Sequence, residues 1–424
     1  MIFSGPVKYL VLFAFSALFF MLNACTFNGL GVVLPYMIDE MGWAWAVAGL
    51  GFTFLGLSCG LASMAPALAI RTIGIARTML LGGAVLATGF MCMGLAHVPM
   101  TYFVGTILLG IGFALCGTTA GVNVVSHSFR RSSTAVGIYF TAGGLGAVAG
   151  PMFVYATQSL TGDWRYYWYG AAACALVLSI FAAIVTADRP QLNDTGAEKS
   201  EPLPAGGWTA RAALRTMQFY VVVGAYTAFL LINTTVHGFA VKHLSESGLS
   251  MGSAATVMSA IALIGAVGSA GAGVAGERMK PRHLAMLSLA ATVIGTLALI
   301  GGGSWLTLPL AVLGLGIGFG FSYVSTAMLL IDLFGKRPNL ELYSVMTLIS
   351  TLAAIGPALG GMVRDEAGSF SLVFIGCAVL GTIFLLLLAI MRRPAAPAEM
   401  LSETRLQEAK APSSVQTSQP VLAA

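Results

Sequence analysis

Few polar side chains interrupt the long uncharged runs of this chain, and those that do are amides, phenols, hydroxyls and an imidazole. Asn23 and Asn28 lie in the first run. Thr119 and Asn123 are four residues apart, as are Asn233 and His237, so each pair shares a helical face. Tyr226 precedes the second pair and Tyr323 lies in a later run. Asn28, Asn123, Tyr226, Asn233, His237 and Tyr323 form the candidate substrate-binding set. Such groups exchange hydrogen bonds without carrying charge, which suits a neutral or weakly polar organic solute. An imidazole adds proton exchange near neutral pH, and His237 is the strongest single candidate. The same side chains also act as glue between helices, each bond contributing ~1 kcal/mol or less. No phosphate-binding glycine loop, metal-ligand spacing or nucleophile triad occurs in the sequence, which points away from a pump or an enzyme and implies no metal or cofactor.

Lipid must be the main solvent of the elements that carry these residues. Of 424 residues, 57% are hydrophobic and only 9% charged, too few for the polar coat of a water-soluble domain. A helix needs about 20 apolar residues to cross a bilayer. Twelve runs reach that length, from Tyr9–Ile38 to Ser371–Met391, with the sixth ending at Ala187 and the seventh starting at Met217. The expected fold is an all-α membrane protein of twelve transmembrane helices. Residues 9–187 form one six-helix half and 217–391 the other. The connection 188–216 is a charged loop followed by an interfacial helix over Trp208–Phe219, and 394–424 is a disordered tail. With the N-terminus inside, eighteen Lys and Arg residues fall on the inner side and only Arg165, Lys242 and Arg364 on the outer. That bias places both termini in the cytoplasm, as for a protein of the inner (plasma) membrane. The six cysteines lie in apolar runs without a paired spacing and read as helix-packing residues. The net charge of +5 sits in short loops and is no nucleic-acid footprint.

The halves are copies. Arg131 and Arg337, Gly150 and Gly356, and Pro151 and Pro357 are each 206 positions apart. At the same offset Leu109-Gly110-Ile111-Gly112-Phe113 repeats as Leu315-Gly316-Ile317-Gly318-Phe319, and Glu40 falls on Glu246. Two halves of equal orientation are the parallel-repeat pattern of one transporter class, with the substrate path between them near the bilayer midplane. Gly146, Gly150 and Pro151, with Gly356 and Pro357 in the second copy, read as close-packing positions with a Gly-Pro step at which the helix kinks or ends.

The duplicated twelve-helix layout resembles the major facilitator superfamily over about Tyr9–Met391. Gly273, Glu277, Arg278 and Arg282 resemble its loop motif between the second and third helices of a half, and the resemblance implies a cytoplasmic latch there. The first half keeps only Gly74 and Arg77, with Arg71 at the acidic position. Gly137, Gly146, Gly150 and Pro151 resemble the fifth-helix motif associated with exchangers, but Val154-Tyr155 stands where a glycine pair is expected; the second copy keeps Gly360-Gly361. Asp39-Glu40-Met41-Gly42-Trp43-Ala44-Trp45, and Ala213-Leu214-Arg215-Thr216 with Phe219, resemble the monocarboxylate and oxalate/formate porter group. That likeness implies a carboxylate substrate. The arginine that group carries in its eighth helix is missing from Gly252–Gly276, and drug/proton exchangers have an arginine where Thr106 stands.

These features together point to a secondary transporter, monomeric, that moves a small organic solute by alternating access, with protons as coupling ions. Coupling would use carboxylates near span ends, such as Asp39, Glu40, Asp332, Asp365 or Glu366, or a histidine. Asp39 and Glu40 read first as a solvated loop start. Export of amphipathic compounds and a non-transporting membrane sensor are the competing readings.

Overall fold

The computed structural model describes residues 7–129, 132–187, 208–335 and 338–395. The segment 188–207, the tail beyond Ala395, and Arg131 and Arg337 of the repeat frame lie outside the described residues. Every described element is helical: α1 Val7–Cys25, α2 Phe27–Met41, α3 Trp45–Leu61, α4 Ala65–Ile73, α5 Ile75–Gly94, α6 Pro99–Cys116, α7 Thr118–Ser128, α8 Ser132–Thr161, α9 Arg165–Thr186, α10 Ala210–Ala213, α11 Met217–Glu246, α12 Met251–Arg278, α13 Pro281–Ile300, α14 Thr307–Phe334, α15 Asn339–Ser350, α16 Gly356–Ala367 and α17 Ser371–Ile390. They make twelve stretches long and apolar enough to cross a membrane. Helices are what apolar sequence must form in lipid, because each segment then satisfies its own backbone groups.

Four spans are nevertheless interrupted. The first breaks at Thr26 (φ −92°, ψ −103°), between α1 and α2. The fourth breaks at Gly117 (φ −84°, ψ −139°), between α6 and α7. The second and eleventh pass through 3-10 turns, Ala62–Met64 and Thr351–Ile355. Each of these turns lies just before a proline, Pro66 or Pro357, whose missing N–H frees the carbonyl four residues earlier. The Gly-Pro step therefore acts differently in the two copies. Gly356-Pro357 opens a new helix, but α8 runs through Gly150-Pro151 and continues to Thr161. The expected helix end is absent there.

A threonine from the other half accompanies that difference. The Thr53 hydroxyl on α3 donates to the Ala354 carbonyl at 2.6 Å and accepts from the Ala358 amide at 3.2 Å. An uninterrupted α-helix would pair those two groups with each other. Thr53 is thus inserted into the ladder of the eleventh span, a known cause of kinking. At the repeat offset, its counterpart is Ser259 on α12, opposite the uninterrupted stretch Val148–Met152 of α8. Ser259 is buried and its hydroxyl has no partner.

The expected interfacial helix over Trp208–Phe219 is not formed. Thr209 and Thr216 each accept an amide hydrogen bond as N-caps, from Ala212 and Phe219. They cut the stretch into the single turn of α10 and the start of α11, leaving Arg215 between them. Asp39 and Glu40 also differ from expectation: they end α2 rather than start a loop, and both are paired. Asp39 meets Lys242 at 3.3 Å across the halves, and Glu40 meets Arg165 at 2.8 Å. The repeat partner of Glu40, Glu246, meets Arg364 at 2.6 Å.

The close-packing role of the glycines is visible at backbone level. A β-carbon on Gly146 or Gly150 would overlap the carbonyl of Phe20 or Ala24 on α1, and one on Gly356 would meet Leu231 and Thr235 on α11. The halves touch in the same manner: Gly31 lies against the His237 carbonyl, Gly49 against that of Pro357, and Gly361 against that of Trp45.

The Thr53 insertion makes a testable contrast. Thr53→Val keeps the shape and leaves the Ala354 and Ala358 groups without their bridge, so it should lower unfolding stability by ~1–3 kcal/mol. Ser259→Ala removes a hydroxyl that has no partner and should be neutral or mildly stabilising. Thermal unfolding of the two variants in one detergent checks this; equal losses would contradict the asymmetry.

Candidate functional site

Two unlike surfaces come from the two halves. In the second half, side chains of α11 and α14 form a continuous aromatic line. Tyr226 meets Tyr323 edge-on at 6.1 Å, Phe229 meets Tyr323 at 5.4 Å and Phe319 at 5.9 Å, and the His237 ring lies 5.6 Å from Phe319. Three of the expected residues, Tyr226, His237 and Tyr323, are therefore brought together, joined by two phenylalanines that polarity alone does not mark out. The signal was present in the spacing: Phe229, Asn233 and His237 recur every four residues, and Phe319 and Tyr323 share a face of α14. Tyr226 is buried, whereas Tyr323 is 45% exposed and carries the accessible face of the line.

His237 is oriented by its own helix. Its Nδ1 lies 2.8 Å from the Asn233 carbonyl. A carbonyl can only accept, so Nδ1 holds the proton and Nε2 of the neutral ring is left as a hydrogen-bond acceptor. The Asn233 side chain is partly buried beside it.

The first half presents amides at broken helices. Asn28 Nδ2 donates to the Asn23 carbonyl at 2.8 Å, and Asn23 Nδ2 donates to the Phe19 carbonyl at 2.8 Å. Both amides thus serve carbonyls at the interruption of the first span, and Thr26 adds a 2.6 Å bond to the Leu22 carbonyl. Asn123 lies on α7, just past the interruption of the fourth span, with its carbonyl accepting from Ser126 and bound by the His127 ring. Asn23 and Gly117 correspond by the repeat offset to Phe229 and Tyr323. One half offers amides and freed backbone at the positions where the other offers aromatic rings.

At one end the halves are shut. The Asp365 carboxylate on α16 accepts from the amides of Trp45 at 2.9 Å and Ala46 at 2.8 Å, the first two of α3. An acid at a helix N-terminus satisfies orphan N–H groups and opposes the positive end of the helix dipole. Trp45 packs edge-on to Phe239 at 5.9 Å and Phe370 at 5.1 Å. At the opposite end the expected latch residues do not act together. Gly273, Glu277 and Arg278 are exposed near the end of α12, with no ion pair among the described residues. Arg282 instead binds the Leu388 and Ala389 carbonyls at the end of α17. A cavity of about 630 Å³ lies within the first half among α1, α8 and α9, lined by residues such as Phe20, Met21, Leu145 and Cys174, none of which belongs to the line of rings.

The Asp365 cap gives a second prediction. Asp365→Asn keeps the size but removes the charge and one of the two acceptors. Spin labels at the exposed positions Ala44 and Glu366 should then report longer separations by electron double resonance; an unchanged distance distribution would show that the cap does not hold the halves.

Comparison with known proteins agrees with this architecture. No curated protein matches the chain significantly. Among solved structures, a bacterial homolog of the human lysosomal transporter Spinster, in an inward-facing and occupied conformation, superposes with TM-score 0.73 at 17% identity, covering 93% of this chain and 100% of that one. The nucleoside transporter NupG superposes with TM-score 0.73 at 14% identity, covering 91% and 98%. At such identities the likeness shows the fold alone. The family model described as Major Facilitator Superfamily matches residues 16–353, and matches again over 224–423. The twelve spans, the duplicated halves and this match over most of the chain show that the protein belongs to the major facilitator superfamily.

Proposed function

We propose that this transporter carries a small organic solute, foremost a monocarboxylate or a related metabolite, in its neutral protonated form. The observation that carries the reading is His237, held with Nε2 as an acceptor at the end of an uncharged aromatic line. A carboxylic acid O–H donates to such a nitrogen, and its apolar remainder suits Phe319, Phe229 and Tyr323. An ionised carboxylate brought there would need a fixed positive partner, and α12 has no charged residue before Glu277. A proton then travels with the solute, which makes the transporter a symporter. The amides of Asn28 and Asn123 and the hydroxyl of Tyr323 supply the remaining hydrogen bonds.

Residues 9–187 and 217–391 move as two bodies joined by 188–216, and the charge bias assigns both termini and the tail from 394 to the cytoplasm of a plasma-membrane protein. In that orientation the shut end, with Asp365 and the Asp39–Lys242 pair, is external. The state is then inward-facing, the same side on which the Spinster homolog is open. The monomer is the working unit.

Proteoliposomes with an inward proton gradient test the reading. Labelled monocarboxylates should accumulate, and His237→Ala and Tyr323→Phe should each slow uptake by about tenfold, the rate equivalent of one hydrogen bond. Wild-type kinetics in both variants would remove them from the path, and absence of any gradient-driven flux would sink the transport reading. The apolar cavity among α1, α8 and α9 favours a second reading, extrusion of amphipathic compounds. It predicts flux in the sense opposite to the proton gradient.

A further inference from the structure

A second cavity, with a charged rim, lies where α13 begins and α14 and α17 end. It encloses about 380 Å³ and is rimmed by Lys280, Arg282, His283, Asp332, Arg392 and Arg393. Four permanent cations thus face one carboxylate. Two of the cations are committed. Arg282 donates from Nε to the Leu388 carbonyl at 2.9 Å and from Nη2 to the Ala389 carbonyl, which fixes it across the end of α17. Arg393 pairs with both oxygens of Asp332 at 3.0 Å. The side chains of Lys280, His283 and Arg392 make no hydrogen bond or ion pair among the described residues, and all three are exposed. Positive charge is therefore concentrated here beyond anything the fold uses.

We infer that this cavity binds the headgroup of an anionic phospholipid. Lys280 and Arg392 would contact the phosphate, and the fixed charges of Arg282 and Arg393 would add to the attraction. Two observations favour a lipid over a free anion. The floor of the cavity is apolar, formed by Leu329, Leu333 and Met391, which a glycerol backbone covers and a hydrated phosphate does not. The helices below the rim also turn apolar residues outward: Leu386 and Ile390, on one face of α17, are 59% and 72% exposed. On α13, Leu287 follows His283 by one turn and is 45% exposed. A lipid with its headgroup among the cations has bare hydrocarbon on two helices for its chains. Basic pockets between helix ends at a membrane surface are the arrangement that recognises such headgroups, each Lys or Arg adding attraction that salt weakens.

The test uses the purified full-length protein in a neutral detergent and follows its melting temperature during titration with short-chain phosphatidylglycerol. A ligand that binds only the folded state raises that temperature by an amount that grows with the logarithm of its concentration over its dissociation constant. Phosphatidylglycerol should give a rise that continues with the logarithm of its concentration, and phosphatidylcholine and inorganic phosphate at matched concentrations should not. The double variant Lys280→Ala/Arg392→Ala, which breaks no contact among the described residues, should melt normally without lipid and bind about thirty-fold more weakly. The charge-conserving Lys280→Arg/Arg392→Lys should restore the shift. A full shift with inorganic phosphate would make this an anion site instead, an equal shift with phosphatidylcholine would remove the charge requirement, and an unchanged shift in the double alanine variant would place the lipid elsewhere; each of these overturns the assignment. None of these readouts depends on transport.

Discussion

In hydrocarbon an unpaired backbone amide or carbonyl costs several kcal/mol, so every span of this protein must close its own ladder or find a partner outside it. Most spans close it. Four do not, and the places where they fail hold much of what distinguishes this protein from a simple bundle. At the first span the Asn23 carbonyl beside the break is satisfied locally by the Asn28 amide, while Thr26 and Asn23 add side-chain bonds to the Leu22 and Phe19 carbonyls of α1. At the eleventh they are satisfied from across the molecule, by Thr53. At α3, the orphan amides of the helix start are capped by Asp365 of the other half. Two of the contacts between the halves are in this sense repairs of backbone hydrogen bonding.

The same constraint shapes the candidate site. Amides that bind their own backbone have fewer valences for a ligand, so the first half contributes hydrogen-bonding groups that are already partly occupied. The second half keeps α11 and α14 continuous, and its aromatic side chains are free of backbone duty. His237 combines both situations: one nitrogen is tied to Asn233 and the other is left available. Duplication supplied two similar halves, and the exchange of Asn23 for Phe229 and of Gly117 for Tyr323 at matched positions makes their inner surfaces chemically distinct.

Much of this was legible before any coordinates. Hydropathy and length identify twelve spans because lipid admits few alternatives, and the 206-residue offset identifies the duplication because identical loop and helix positions need no gap. Polar residues in apolar runs stand out, so Tyr226, His237 and Tyr323 are marked by residue type alone. Phe229 and Phe319 are marked only by their four-residue spacing from Asn233 and Tyr323, which residue type does not pick out among 24 phenylalanines. The breaks at Thr26 and Gly117 were missed because hydropathy does not record where backbone bonds go. Pro151 and Pro357 look alike in sequence and differ in structure: Thr53 meets the second, and Ser259 leaves the first unbroken. The helix expected over Trp208–Phe219 failed for a local reason, two threonine caps within eight residues. The pairing of Asp39 and Glu40 depended on Lys242 and Arg165, which are remote in sequence.

The orphan hydroxyl of Ser259 has a mechanical meaning. The two broadest seams between the halves are α3 against α16 and α8 against α12. Parting the first exposes two backbone groups bridged by Thr53 and two more capped by Asp365. Along the second, no hydrogen bond crosses among the described residues, and the contacts are apolar or aromatic, Gly144 against Ala266 and Gly252 against the Tyr155 ring. One seam resists separation and the other offers little friction to sliding. A protein assembled from duplicated halves has in this way acquired a stiff edge and a slippery one, and any rocking of the halves is biased to turn about the edge that Thr53 stitches.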